Sequence, residues 1–321
     1  MQKKWLLGSV VGGVLAITVG VYQYVNYRAA AILAEQITVI NDSYAVMATQ
    51  GLMPGVALSY DTIKANYWRN DYQIAGLAIN VAGLGVLAEV ASIQVTGFKP
   101  GALAETGRVE IKDVKLAKGM QLLLPPALAE LSNEIALSTH YYYQYQAAKG
   151  ELLLEQHIQL SEQFHIQYQL TLQQMQPLWQ FATDLTKMDA ETQQSYSQSP
   201  EYTAALNTAL EQGQLQQGSV TLNNNGFLQK LQPILASTEQ TAQLGSIKTQ
   251  LEQYLNATNT LPESINTALL AFMADPKELQ MRFQLSEPAS FSQLKDEAFL
   301  AELQTAEQII QFINLQLTVN P

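Results

Sequence analysis

Three histidines, His140, His157 and His165, are the side chains of this sequence best suited to gain or lose a proton near neutral pH. Two of them stand in a segment with a two-residue period. Leu152, Leu154, Ile158, Leu160, Phe164, Ile166, Tyr168, Leu170 and Leu172 share one parity, and mostly Gln, Glu, His and Thr fill the other. A turn at Ser161-Glu162-Gln163 folds this stretch into a hairpin that pairs Leu160 with Phe164, Ile158 with Ile166, Leu154 with Leu170 and Leu152 with Leu172. In that register both histidines lie on the polar face as diagonal neighbours, His157 facing Gln167 and His165 facing Gln159. Glu155 is the one carboxylate near them on that face. A catalytic zinc site takes about three protein ligands, so the pair reads as exposed strand histidines and no metal is assigned.

Other chemistry is sparse. Cys is absent, which removes disulfides, thiolate nucleophiles, Cys-based zinc sites and a lipid-modified N-terminal cysteine. No G-x-S-x-G elbow occurs, and no S-x-x-K stands beside companion motifs. Gly76, Gly83 and Gly85 sit among apolar strand residues rather than before a helix, so they form no phosphate loop. Asp184, Asp189 and Glu191 read as solvated charge. The expectation is a protein that is not an enzyme and needs no cofactor. The candidate site is instead the apolar hairpin face, Leu152, Leu154, Ile158, Phe164, Ile166, Leu170 and Leu172. That face either lines a sheet curled around acyl chains or is covered by later helices as an ordinary core.

The elements that carry these residues follow from hydropathy. The chain has 321 residues, 47% hydrophobic and 14% charged, with mean hydropathy −0.02 and net charge −11. Lys3, Lys4 and Arg28 are the basic residues of the N-terminal segment, which has no acid; the remainder holds 14 basic against 28 acidic side chains. Such a surface repels phosphate backbones, which excludes nucleic acid as a partner. Trp5 to Val25 is free of charge, and at about 1.5 Å per residue it matches a hydrocarbon core of about 30 Å. Residues 1–28 are therefore expected to form an N-terminal transmembrane helix, with Trp5, Tyr22, Tyr24 and Tyr27 near its ends. A cleaved signal peptide ending near Ala29-Ala30-Ala31 is the competing reading. Two lysines before the run and one arginine after it put the N-terminus in the cytoplasm and the bulk in the periplasm, as a single-pass protein of the bacterial inner membrane.

Residues 29–53 read as a helical stalk, with Ile32, Leu33, Ile37, Ile40, Tyr44 and Met47 at helical spacing and Gly51 and Pro54 as its end. Residues 54–321 are expected to be an extracytoplasmic α+β domain, an antiparallel β-sheet meander packed with several helices, divisible into a β-rich half 54–175 and a helix-rich half 176–321. Short strands alternate through Ala57–Tyr60, Tyr72–Leu77 and Ala91–Val95. Val109, Ile111, Val114 and Leu116 change parity, which implies a bulge near Lys112-Asp113. A two-residue turn at Lys149-Gly150 would set Tyr145 opposite Leu154. Ser199-Pro200 opens a helix, Leu244 to Leu255 carries another helical stripe, Thr260-Leu261-Pro262-Glu263 reads as a capping box, and a helix from about Ser290 to Ile310 separates two final strands.

The Lys3-Lys4 segment, the stalk and the strands Val56-Ala57-Leu58-Ser59-Tyr60 and Ala91-Ser92-Ile93-Gln94-Val95-Thr96-Gly97-Phe98 carry a resemblance, as do Leu269-Leu270-Ala271-Phe272-Met273 and Leu279-Gln280-Met281-Arg282-Phe283. In this order they resemble the YdgA-like membrane-anchored periplasmic proteins and, more loosely, AsmA-like envelope proteins associated with lipid handling. The resemblance implies a membrane-anchored binding or scaffolding protein of the cell envelope, held by its N-terminal helix in the inner membrane, with lipid or envelope proteins as partners. The alternative is an accessory subunit of a secretion or pilus assembly complex, which uses the anchor and stalk to contact other subunits.

Overall fold

The computed structural model describes residues 29–66, 70–97, 103–121, 124–236 and 261–321. Its fold is mostly large antiparallel β-sheet with some helices. This corrects the expected α+β fold led by an N-terminal transmembrane helix: among the described residues no helix is long and apolar enough to cross a membrane. The expected anchor, residues 1–28, and the stripe Leu244–Leu255 lie outside the described residues. Sheet gains over helix because the Gln-rich strands run longer than their apolar cores imply; a polar side chain on a strand's wet face costs little.

The chain divides into two compact units, residues 1–142 with 182–198 and residues 143–181 with 199–321. In the first, helix α1 (Ala29–Thr49) precedes strands β1 (Val56–Ser59), β2 (Thr62–Asn66), β3 (Asp71–Val81), β4 (Gly85–Thr96) and β5 (Thr106–Leu116). The strands lie in the order β1-β3-β4-β5, with β2 also on β3. Short helices α2 (Lys118–Gln121) and α3 (Pro126–Glu134) follow. Leu77, Leu87, Val90, Ile93, Val95 and Ile111 are fully buried and form the core. α1 stops where Gly51 adopts a left-handed φ of 71°. Its buried Leu33 and Ile37 face the sheet, and Asn41 takes the place of a missing strand. The Asn41 amide accepts from Leu58 N–H at 2.7 Å and donates to Leu58 C=O at 2.9 Å, which satisfies the open edge of β1.

The parity change expected near Lys112-Asp113 is present, but no residue is inserted. The pairs Ser92↔Lys112 and Val90↔Val114 keep one register across it. Asp113 has φ 52°, and its N–H donates to Ser138 Oγ at 3.0 Å. Two strands away Gly76 has φ 63°, and between Ala75↔Ser92 and Leu77↔Val90 the register of β3 and β4 is likewise continuous. Buried positions switch parity at this line in β3 and β4, and in β5 the buried odd positions give way to half-buried Val114 and Leu116. The pleat is reversed together across the sheet, so every strand continues to feed the same core.

The second unit holds β7 (Glu151–Leu160), β8 (Phe164–Gln173), β9 (Gln214–Asn224), β10 (Glu278–Ser290) and β11 (Gln316–Val319), antiparallel neighbours in that order. Strand β6 (Leu137–Gln146) belongs to the first unit up to Tyr142 and to the second from Tyr143; helix α4 (Gln176–Leu185) crosses the same division after Phe181. Trp179 stacks on Tyr145 with centroids 4.1 Å apart and meets Tyr143 edge-on at 6.0 Å. The connection before β7 spans Ala147–Gly150 rather than two residues, with Gly150 at φ 63°.

Helix α5 (Ala190–Ser197) is capped by Asp189 and α6 (Pro200–Glu211) by Ser199, whose hydroxyl accepts from Tyr202 N–H at 3.1 Å. Helix α7 (Phe227–Ala236) starts at the buried Asn224, which accepts from Leu228 N–H at 2.9 Å and donates to Gln229 and to the Pro276 carbonyl. Helix α8 (Glu263–Ala274) follows Pro262, which offers no side-chain cap; Thr260, the first residue of the box expected there, lies outside the described residues. The box that forms is Thr305 with Gln308, which opens α10 (Ala306–Phe312). That cap, with α9 (Glu297–Glu302) and a 3₁₀ turn at Gln293–Lys295, splits the long helix expected over 290–310.

A Cβ on residue 76 would lie 2.0 Å from Asp61 Oδ2. Replacing Gly76 by alanine in the full chain is expected to cost about 1–3 kcal/mol, from the left-handed backbone and this overlap. Urea unfolding of the Gly76→Ala/Asp61→Ala pair should recover the steric share only, leaving about 1 kcal/mol for the backbone.

Candidate functional site

The β7–β8 register is the one expected, with Leu152↔Leu172, Leu154↔Leu170, Ile158↔Ile166 and Leu160↔Phe164, and Ser161 at φ 48° in the turn. Alternation then separates two faces across five strands. Tyr168, Val220, Met281 and Leu317 are successive neighbours on one side, as are Ile166, Leu222, Leu279 and Val319. The candidate residues divide by depth along this apolar face. Leu152 and Leu172 are buried, at 8% and 6% exposure, while Ile158, Phe164, Ile166 and Leu170 are half-buried. The Phe164 ring meets Phe227 of α7 with centroids 5.5 Å apart. Between these covered ends Leu154 and Tyr168 are 37% and 39% exposed. A hydroxyl gives Tyr168 reason to face water, but Leu154 has none.

The opposite face brings together groups that the spacing alone placed only as diagonal neighbours. His157 faces Gln167 and His165 faces Gln159, as expected. The rings also reach each other: His165 Nε2 lies 3.3 Å from His157 Nδ1, with centroids 5.4 Å apart and planes inclined by 31°. On its other side the His157 ring bonds through Nε2 to Glu155 Oε1. Glu155 also accepts from Gln167 Nε2 at 3.5 Å. Glu155, at i−2 on the same strand face, is the partner that spacing could have named for His157; the ring orientation that completes the chain is not encoded in spacing. An ionised Glu155 keeps the proton on His157 Nε2 and leaves Nδ1 as acceptor for His165. Burial and the neighbouring His157 charge lower the His165 pKa below 6.5. His140 is half-buried on β6, in the first unit.

Further along this face lies a polar hollow of about 350 Å³ that the sequence reading did not mark. Gln169, Ser219, Arg282 and Gln316 are successive neighbours across four strands, and all four line it. Among the described residues, Arg282 is the only charged one that lines it, and it is exposed. Amides and hydroxyls of this kind hydrogen-bond neutral polar groups.

A family model described as "Uncharacterized protein" matches residues 158–320, from β7 to the penultimate residue and just over half the chain. No curated protein matches the sequence. The matched description makes no connection to the YdgA-like or AsmA-like proteins.

The electrostatics of the histidine pair are directly measurable. Because the folded pKa of His165 lies below 6.5, the unfolded chain takes up this proton first. The stabilisation held at this site is complete above about pH 6.5 and is lost as pH falls through the depressed folded value. The native chain should therefore lose more unfolding free energy between about pH 7.5 and 5 than His165→Gln does. In NMR titrations, His157→Gln should raise the His165 pKa only part of the way, because burial, the larger cause, remains.

Proposed function

The chain belongs to that family of uncharacterized proteins, and on this premise we propose that it acts by binding, its second unit receiving the hydrocarbon chain of a lipid on the apolar sheet face. The observation that carries this reading is the exposure of Leu154 and Tyr168, beside Gln156, between the buried and the half-buried end of an otherwise apolar strip. An ordinary core would be covered in its middle first. The strip follows nine pairs of residues on β7 and β8, about 30 Å of strand, and is a few strands of about 4.8 Å spacing across. Those proportions suit an extended alkyl chain better than the broad patch of a stable protein interface. No charged side chain lies among the β7 and β8 residues of this parity from Leu152 to Leu172, which favours an uncharged guest. With a lipid as ligand, the setting we propose is the bacterial cell envelope. A second reading, an accessory subunit of a secretion or pilus assembly complex, draws on the exposed Val39 and Val46 of α1 and on Leu52 just beyond it.

Mass spectrometry of organic extracts from the full chain, purified from bacterial membranes and exchanged out of detergent, is expected to find stoichiometric lipid. Leu154→Asp places a charge on an exposed position, so the fold should persist while the lipid is lost. Folded native protein without lipid, or lipid retained in a folded Leu154→Asp variant, would overturn the proposal.

A further inference from the structure

We propose that His157 and His165, with Glu155 as the positioning residue, form a binding site for a divalent transition-metal ion of the zinc type on the polar face of the β7–β8 hairpin. Two imidazole nitrogens bound to one tetrahedral zinc at about 2.0–2.1 Å lie roughly 3.3–3.4 Å apart. His157 Nδ1 and His165 Nε2 are separated by 3.3 Å. The spacing of the donor pair therefore already has the length of a tetrahedral edge. Both donors stand on a rigid two-stranded element whose register is fixed through nine pairs, so they need no loop movement to converge.

The second observation is the other side of the His157 ring. A metal-binding histidine characteristically gives its remaining N–H to a carboxylate, which sets the tautomer and raises the basicity of the nitrogen that meets the ion. Glu155 Oε1 holds Nε2 in this way, which leaves Nδ1 with its lone pair toward His165. Gln167 steadies the carboxylate from the adjacent strand. Without an ion, one proton between the facing nitrogens joins the rings. With an ion, that proton is replaced and His165 carries its own on Nδ1. Nitrogen donors suit zinc, copper and nickel rather than calcium or magnesium. Two protein ligands leave coordination positions for water or for an anionic ligand, so the site is exchangeable rather than structural.

This site lies on the face opposite Leu154 and does not depend on the lipid proposal. The test is calorimetric titration of ZnCl₂ into the metal-stripped full chain at pH 7.5. One equivalent should bind, and His157→Ala and His165→Ala should each weaken it at least tenfold. Glu155→Gln keeps both nitrogens and should cost roughly 10–100-fold in affinity, with circular dichroism unchanged. Imidazole ¹⁵N spectra report on the native chain without any substitution: zinc should shift His157 Nδ1 and His165 Nε2 most. Absence of zinc binding at pH 7.5, binding unaltered in His165→Ala, or zinc shifts confined to other residues would overturn the assignment.

Discussion

Register is the constraint on which the second unit rests. A strand alternates its side chains with period two, so slipping β8 by one residue against β7 would carry Phe164, Ile166 and Leu170 to the wet face and His165 to the apolar one. The matched pairs Leu152↔Leu172 to Leu160↔Phe164 oppose that slip, and β9 and β10 repeat the same division rung by rung. Separation of an apolar strip from a histidine cluster is therefore one decision taken once, in the hairpin, and inherited by each later strand. The wet face needs little packing of its own because the apolar face holds the register for it.

Legibility in the sequence follows how local each signal is. The β7–β8 pairing was readable residue by residue, because apolar residues on one parity with a short polar turn between them admit few registers. Its diagonal histidines came with it. The bond from His157 to Glu155 and the approach of His165 did not, because both depend on side-chain torsions that spacing leaves free. At Asp113 the change of parity was legible, yet its meaning was not. Only the neighbouring strands reveal that Gly76 and Asp113 lie on one line and that the register survives it.

Helical signals were read less well. The apolar spacing from Ser290 to Ile310 suggested one helix, but the Thr305–Gln308 box, four residues of ordinary polarity, starts a new one. An apolar cluster at helical spacing is conspicuous in a hydropathy profile, whereas the polar residues that start or end a helix contribute little to it. Depth was beyond reach for a similar reason. Leu152 and Leu154 look alike in the sequence and share a face, but neighbours from other elements leave only the second open to water.

Strand β11 pairs with β10 from Leu279 to Arg282, and one further bond runs from Gln284 N–H to the Ile313 carbonyl at 3.0 Å. Beyond it β10 continues to Ser290, and there its register against β9 shifts between Gln284 and Ala289. Ser286, Glu287 and Pro288 occupy this irregular stretch: a hydroxyl, a charge and a residue with no N–H to give. A β-strand of another molecule would find neither a continuous row of donors nor a flat apolar border to extend. Where the covering strand stops, the composition of β10 itself guards against fibre-like growth of the sheet.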